Sequence, residues 1–247
     1  MKSIMYICIS INENDISTNM RGFLYIIFIL FTTACSNQYS ISGDLSQGAI
    51  YGKKLYLSVV DGEERRVYMD SCDVVHGQFV FSGPVDSVVL GHIDIDGYAM
   101  MPVVIEQGEM NISVGHLGNN ITGGALNQRL NKYFERLNSI QREWEVLHQN
   151  RIRLMMTGGF TLQEMERITH LEDSLNVQTE KIQTNFVIEN FDNVLGPGIF
   201  MMICNQYPMP IITPQLHFIL EQAPDGFFRH PRISTFLQRV GYDSMKF

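Results

Sequence analysis

Two hydrophobic periods divide the chain at about residue 124. Before it, apolar and polar residues alternate in short runs, as Leu55, Leu57 and Val59 do within one run. The runs cover residues 54–59, 65–75, 78–83, 85–95, 100–105 and 110–114. Turn pairs such as His76-Gly77 and Asp96-Gly97 separate many of them. Short strands at this spacing predict an antiparallel β-sandwich or an open barrel.

After Gly124 the apolar residues recur every three or four positions, which is the period of a helix. One row consists of Leu126, Tyr133, Ile140, Leu147 and Leu154, and a second of Leu130, Leu137 and Trp144. They predict a helix over residues 125–155, about 45 Å long. Thr161-Leu162-Gln163-Glu164 is a capping-box pattern that begins a second helix. Its inner face is assigned to Met165, Ile168, Leu171, Leu175, Ile182 and Phe186. The short connection predicts an antiparallel hairpin.

Shorter helices are predicted after the hairpin. Gly196-Pro197-Gly198 is interpreted as a chain break before a helix at 199–204, and Thr213-Pro214 as an N-cap followed by proline. A last helix is predicted from Pro231, with Ile233 on its apolar face. The predicted class is therefore α+β: an N-terminal antiparallel β-sandwich or open barrel over 35–124, then a long α-hairpin and shorter C-terminal helices over 125–247.

A short apolar segment near the N-terminus predicts export. Phe23 to Phe31 are all apolar, Arg21 precedes them, and Thr32-Thr33-Ala34-Cys35 follows. A helix from Phe23 to Ala34 would rise about 18 Å, against a hydrocarbon core of roughly 30 Å. The segment resembles a bacterial lipobox, which implies acylation of Cys35, although Thr32 stands where leucine is usual. The alternative is a buried helix that ends in a chance cysteine.

The residues before this segment do not fit a signal peptide. Asn12, Glu13, Asn14 and Asp15 are polar or acidic, whereas a signal normally begins with a short basic region. We therefore interpret Met20 as the true start and residues 1–34 as an over-extended start plus a signal peptide. A cytoplasmic extension is the alternative.

Charge argues against nucleic acid as a partner. The formal net charge is −8, and no cluster of basic residues is visible along the sequence. Nucleic-acid binding depends mainly on Lys and Arg that neutralise phosphates, so this partner is disfavoured.

The cysteines leave one redox alternative open. If Cys8 is removed with the leader and Cys35 is acylated, Cys72 and Cys204 remain. In an oxidising compartment they could pair or exchange with a partner, although they lie on a predicted strand and a predicted helix far apart in the sequence. Two buried thiols that behave as small hydrophobic side chains are the other interpretation.

Candidate catalytic and metal-binding patterns are weak. His92, Asp94 and Asp96 share one strand face, but an EF-hand loop fails because Gly97 falls at the wrong position. The alternative is a solvated strand face, and Glu106 is interpreted as a turn residue rather than a general acid. We find no HExxH, GxSxG, P-loop or dinucleotide pattern. The expectation is a chain with no catalytic residues, no metal and no cofactor.

Several motifs in the first half resemble one family. They are Asp70-Ser71-Cys72-Asp73-Val74, His76 to Gly83, Val104 to Ile112 and Ile121 to Asn127. Their order and spacing are similar to those of DUF4369. In Bacteroidota this domain commonly precedes a TlpA-type thioredoxin domain in exported lipoproteins. That resemblance implies a companion module, because no Cys-x-x-Cys pair is present in this sequence.

Three functional hypotheses follow from the sequence. The first is a non-catalytic lipoprotein, anchored by palmitate or another acyl chain on Cys35 at the periplasmic face of the outer membrane, which binds a protein or a cell-envelope ligand. The second is an accessory or truncated relative of a TlpA-like thiol-disulfide oxidoreductase that uses Cys72 or Cys204. The third is an unrecognised hydrolase.

Overall fold

The alternating runs form strands, as predicted. A computed structural model describes residues 37–45, 52–115 and 118–242. The strands are β1 Gln38–Asp44, β2 Lys54–Val60, β3 Arg66–Asp73, β4 Gln78–Pro84, β5 Val89–Ile95, β6 Tyr98–Ile105, β7 Gly108–Gly115 and β8 Gly118–Thr122. They make two four-stranded sheets, β4-β1-β7-β8 and β3-β2-β5-β6, whose pairings are antiparallel except for β1 with β7. The fold class α+β is confirmed, and the barrel is not closed.

Turn chemistry sets the register of the hairpins. His76 and Gly77 have φ of 53° and 81°, and Asp96 and Gly97 have φ of 50° and 84°. Positive φ at both central residues is the signature of a type I′ turn, whose twist matches the flanking strands. The alternating side chains therefore fall on the predicted face, and Phe79 and Phe81 are both buried.

The two long helices are also confirmed. They are α1 Ala125–Met156 and α2 Leu162–Ile188, and the Thr161 side chain accepts a hydrogen bond from the Glu164 backbone N–H. Two residues of the predicted inner face are wrong, because Met165 is 40% and Leu171 42% exposed. Glu172 takes the inner position, since 168, 172, 175 and 179 continue the three-and-four spacing. Its carboxylate lies 2.8 Å from the guanidinium of Arg151 on α1.

The predicted break at Gly196-Pro197-Gly198 is wrong, because these residues form the first turn of a helix. The shorter helices are α3 Leu195–Cys204, α4 Pro214–Gln222, α5 Asp225–Phe228 and α6 Pro231–Arg239. The first N–H groups of a helix have no intrahelical acceptor, so Pro197 sacrifices no helical bond there. Gly196 lets the turn approach the Asn190 carbonyl, which a Cβ atom would meet at 2.3 Å.

Two asparagines of α1 close the open side of the β-sandwich. The side chain of Asn127 bonds both backbone groups of Val104 on β6, accepting from its N–H at 2.9 Å and donating to its carbonyl at 2.7 Å. One turn later, Asn131 accepts from the Ile121 N–H of β8 at 2.9 Å. The start of α1 therefore bridges the edge strand β6 of one sheet and the edge strand β8 of the other.

Most of the buried apolar residues in the described ranges form one hydrophobic core. It includes residues of both sheets, the base of the hairpin and α3 to α6. The outer part of the hairpin has a second, small core formed by Ile140, Leu147, Ile168 and Leu175. Trp144, Leu154, Phe160 and Ile182 pack against this core but are only partly buried, so part of the apolar surface of the hairpin stays accessible.

Candidate functional site

A long groove runs between α1 and α2 on one face of the hairpin. Two clefts form it, an outer one of about 900 Å³ and an inner one of about 460 Å³. Their lining residues include positions 129, 132, 136, 139, 143, 146, 150 and 153 of α1, and 167, 171, 174, 178, 181, 185 and 189 of α2. Each set recurs every three or four positions and therefore lies on one stripe of its helix. The clefts together are called the hairpin groove below.

The floor of the hairpin groove is apolar. Leu147 and Leu175 line its outer part, while Tyr133 and Phe186 line its inner part with their rings stacked at 4.4 Å. Leu171 also lines the groove and is exposed. The four floor residues are buried, whereas the lining residues Val146 and Leu171 are 67% and 42% exposed and leave apolar surface open beside the floor.

The rims of the groove are cationic. Three arginines line the outer cleft and four cations line the inner cleft, against one glutamate in each. The cations are Arg142, Arg153 and Arg167 in the outer cleft, and Arg129, Lys132, Arg136 and Lys181 in the inner cleft. Arg167 pairs with Glu164 at 2.9 Å, and Arg129 donates to Asn190. Within the described residues, Lys132, Arg136, Arg142 and Lys181 form no ion pair.

The sequence shows no run of basic residues, and folding brings these seven cations to one groove. The cations are spread over two helices at helical spacing, so they never stand side by side in the sequence. The only available signal was the spacing of Arg129, Lys132 and Arg136, together with Lys181 on the facing helix. A chain of net charge −8 thus concentrates positive charge on one concave face.

The predicted solvated face of His92, Asp94 and Asp96 is correct only for Asp96. Asp96 is exposed and pairs with Lys53 at 2.7 Å. Asp94 is fully buried: one oxygen accepts from the Ser58 hydroxyl at 2.5 Å and the other has no hydrogen-bond partner. His92 is half-buried. In the described residues, no three His, Cys, Asp or Glu side chains are arranged to hold a metal ion.

The C-terminal helix α6 lies near this part of the sheet, and its Arg232 acts electrostatically on His92. Pro231 at its start contacts Gly62 in the β2–β3 turn, and Thr235 donates a hydrogen bond to the Gly62 carbonyl. Burial, and then the charge of Arg232, lowers the pKa of His230, and burial is also the main cause of the lowered pKa of His92. Folding therefore disfavours the protonated form of both histidines.

This burial predicts a loss of stability in acid. A histidine whose pKa is lowered on folding binds a proton more readily in the unfolded chain, so the free energy of unfolding falls as pH drops below about 6.5. In urea titrations between about pH 7 and pH 5, we expect a flatter dependence for His92→Gln with His230→Gln than for the wild type. The control is His148→Gln with His170→Gln, since both of these histidines are exposed on the hairpin. Equal slopes for all three proteins would contradict the assignment.

The two cysteines in the described residues lie where the sequence predicted, on a strand and a helix. Cys72 of β3 is half-buried, Cys204 at the end of α3 is buried, and both are free thiols. Burial raises the pKa of Cys72 to about 11 and that of Cys204 to about 12. Because the thiolate is the nucleophile, both thiols are poorly suited to disulfide exchange.

Neither thiol is therefore expected to react in the native protein. A rise of two pKa units lowers the thiolate fraction about 100-fold, so iodoacetamide at about pH 8 should label the folded protein far more slowly than the urea-unfolded protein. Mass spectrometry of the alkylated peptides measures each site separately. Labelling of native Cys72 at the rate of an unstructured thiol would instead support the redox hypothesis.

The predicted acylation site, Cys35, lies outside the described residues. None of the helices in the described ranges is both long and apolar enough to cross a membrane.

One family model matches part of the chain. Residues 39–130 match the family described as Domain of unknown function (DUF4369). The match covers β1 to β8 and the start of α1, including Asn127. Comparisons with curated proteins and with solved structures gave no match. Nearly all of the hairpin groove lies beyond the matched residues.

Proposed function

We propose that this chain is a non-catalytic, lipid-anchored binding module of the bacterial cell envelope, which holds a protein partner in the hairpin groove. The observation that carries the proposal is the groove itself, where the exposed Val146 and Leu171 lie beside a buried apolar floor. Of the seven cations on its rims, only Arg167 forms an ion pair within the described residues. Interfaces combine these features, since apolar contact supplies affinity and charge supplies specificity.

The arrangement of the groove favours binding over catalysis. Catalytic groups converge on one reacting atom, with a nucleophile or base in hydrogen-bond contact with its partner. The charged groups of the groove are instead distributed along α1 from Arg129 to Arg153, a rise of about 36 Å. The buried ionisable groups, such as Asp94, lie elsewhere, in packed contacts.

The sequence supports the anchor. Cys35 follows a short apolar segment and would carry the acyl chains. Each buried methylene contributes about 0.8 kcal/mol, so several acyl chains anchor a protein stably. The described body begins within three residues of Cys35, a reach of about 10 Å at most. Such a tether would keep the described body at the membrane, on the periplasmic face of the outer membrane in this proposal.

Two measurements test this function. Cells grown with labelled palmitate should label the wild type but not Cys35→Ala. A photo-crosslinking residue placed at Val146, which lines the groove, should give an adduct in cells, whereas one at Val177 should not. Val146 and Val177 are a matched pair, because they are 67% and 63% exposed but only Val146 lines the groove. Unlabelled wild type would overturn the anchor, and equal crosslinking at both positions would overturn the groove as the binding site.

A further inference from the structure

The chemistry of the groove also specifies its occupant. We infer that the hairpin groove binds an acidic amphipathic helix of another protein, which completes a three-helix bundle with α1 and α2. This inference rests on the proposed function and names the class of partner.

The dimensions of the groove match a helix. The lining positions of α1 extend over about 36 Å, the length of a helix of roughly 24 residues. A third helix laid against an antiparallel pair presents side chains every three or four residues to the floor. Such side chains would cover the exposed Val146 and Leu171 and extend the small core that Leu147 and Leu175 begin.

The charges of the rims match acidic flanks. Lys132 and Arg136 stand on the α1 side and Lys181 on the α2 side, each exposed and without an ion-pair partner in the described residues. The residues that flank the apolar seam of a helix bundle set partner choice through such pairs. Glutamates on both flanks of the incoming helix would meet these rims, while basic flanks would be repelled.

Other occupants fit less well. A bilayer surface is flat and would touch the two helices without filling the clefts between them. An anionic polysaccharide would satisfy the cations but would leave the apolar side chains of Val146 and Leu171 against polar groups. Two copies of this chain that met groove to groove would place seven cations against seven, which opposes pairing.

A peptide titration tests the charge requirement. The probes are two synthetic helices of about 24 residues, both with leucine at the a and d positions, one with glutamate and one with lysine at e and g. The full chain in mild detergent should bind the glutamate peptide, and Lys132→Glu with Lys181→Glu should weaken this binding at least about tenfold. The control, Lys54→Glu with Arg229→Glu, changes the net charge equally but away from the groove. Equal binding of both peptides, or equal weakening by both variants, would overturn the inference.

Crosslinking in cells separates the inference from the proposed function. With the probe at Val146, mass spectrometry should identify an acidic, helix-periodic segment of another protein, and Lys132→Glu with Lys181→Glu should reduce that adduct. A protein adduct that the charge reversal does not reduce overturns the acidic helix but leaves the proposed function intact. An adduct with lipid or with a second copy overturns the inference. No adduct at Val146 overturns both.

Discussion

Asn127→Leu is expected to lower the free energy of unfolding by about 3–5 kcal/mol. Asn127 is fully buried, and its carboxamide bonds both the N–H and the carbonyl of Val104. Leucine fills a similar volume but leaves both backbone groups without partners, and each buried unsatisfied group costs about 1–3 kcal/mol. The Asn127 amide also donates to Glu106 at 3.2 Å, a contact that is lost as well. Urea unfolding followed by circular dichroism measures the change.

Asn131→Ala is the graded control for this prediction. Asn131 makes one comparable bond, to the Ile121 N–H, and lies only partly buried, so its loss should cost about 1 kcal/mol. Asn176→Ala, at an exposed position of α2, should change stability little. If the Asn127 variant unfolds at the same urea concentration as the Asn176 variant, α1 does not close the sheet edges in the way described.

Periodicity explains why so much of the fold could be predicted. In a strand with one buried face, apolar and polar residues alternate, and in a helix with one buried stripe, apolar residues recur every three or four positions. Buried residues such as Leu55, Phe79 and Ile140 follow these periods and therefore indicated the strands and the helix to which they belong. Local capping also operates within a few residues, and Thr161 and Thr213 cap their helices as expected. These features depend on neighbours in the sequence alone.

Contacts between distant segments could not be predicted in this way. Asp94 alternates like a solvent-facing strand residue, and its burial depends on tertiary packing that its own strand does not reveal. Leu171 looked like an inner residue because it is apolar, whereas the actual inner residue, Glu172, is charged and paired with Arg151. Tertiary pairing overrides the apolar pattern in both cases.

The candidate site was missed for a related reason. The groove is assembled from single residues of two helices, so its charged residues form no cluster along the sequence. Arg136 and Lys181 are 45 positions apart in the sequence but line the same cleft. The positive charge of the groove becomes visible only when the lining stripes of α1 and α2 lie side by side in the folded chain. The groove could not be predicted because the sequence does not show which faces of the two helices lie side by side.

Gly123→Ala is the second substitution with a large expected effect. Gly123 connects β8 to α1 with φ of 86°, and a Cβ atom built on it would lie 2.1 Å from the Glu109 backbone oxygen. A side chain in the left-handed region costs about 1–2 kcal/mol, and displacing backbone in a packed site adds typically 1–3 kcal/mol. We therefore expect the free energy of unfolding to fall by about 3 kcal/mol or more, together with a shift of α1 against the sheet edges.

Gly158→Ala separates these two contributions. Gly158 has a similar φ of 71° in the turn between α1 and α2, but a Cβ atom there would meet nothing within 4 Å. Its substitution should cost only the backbone term, about 1 kcal/mol. Urea unfolding of both variants measures the difference, which reports the close approach of β7 to the start of α1. Equal losses for the two variants would show that the approach is loose, and that the position of the hairpin groove is not fixed by the sheet.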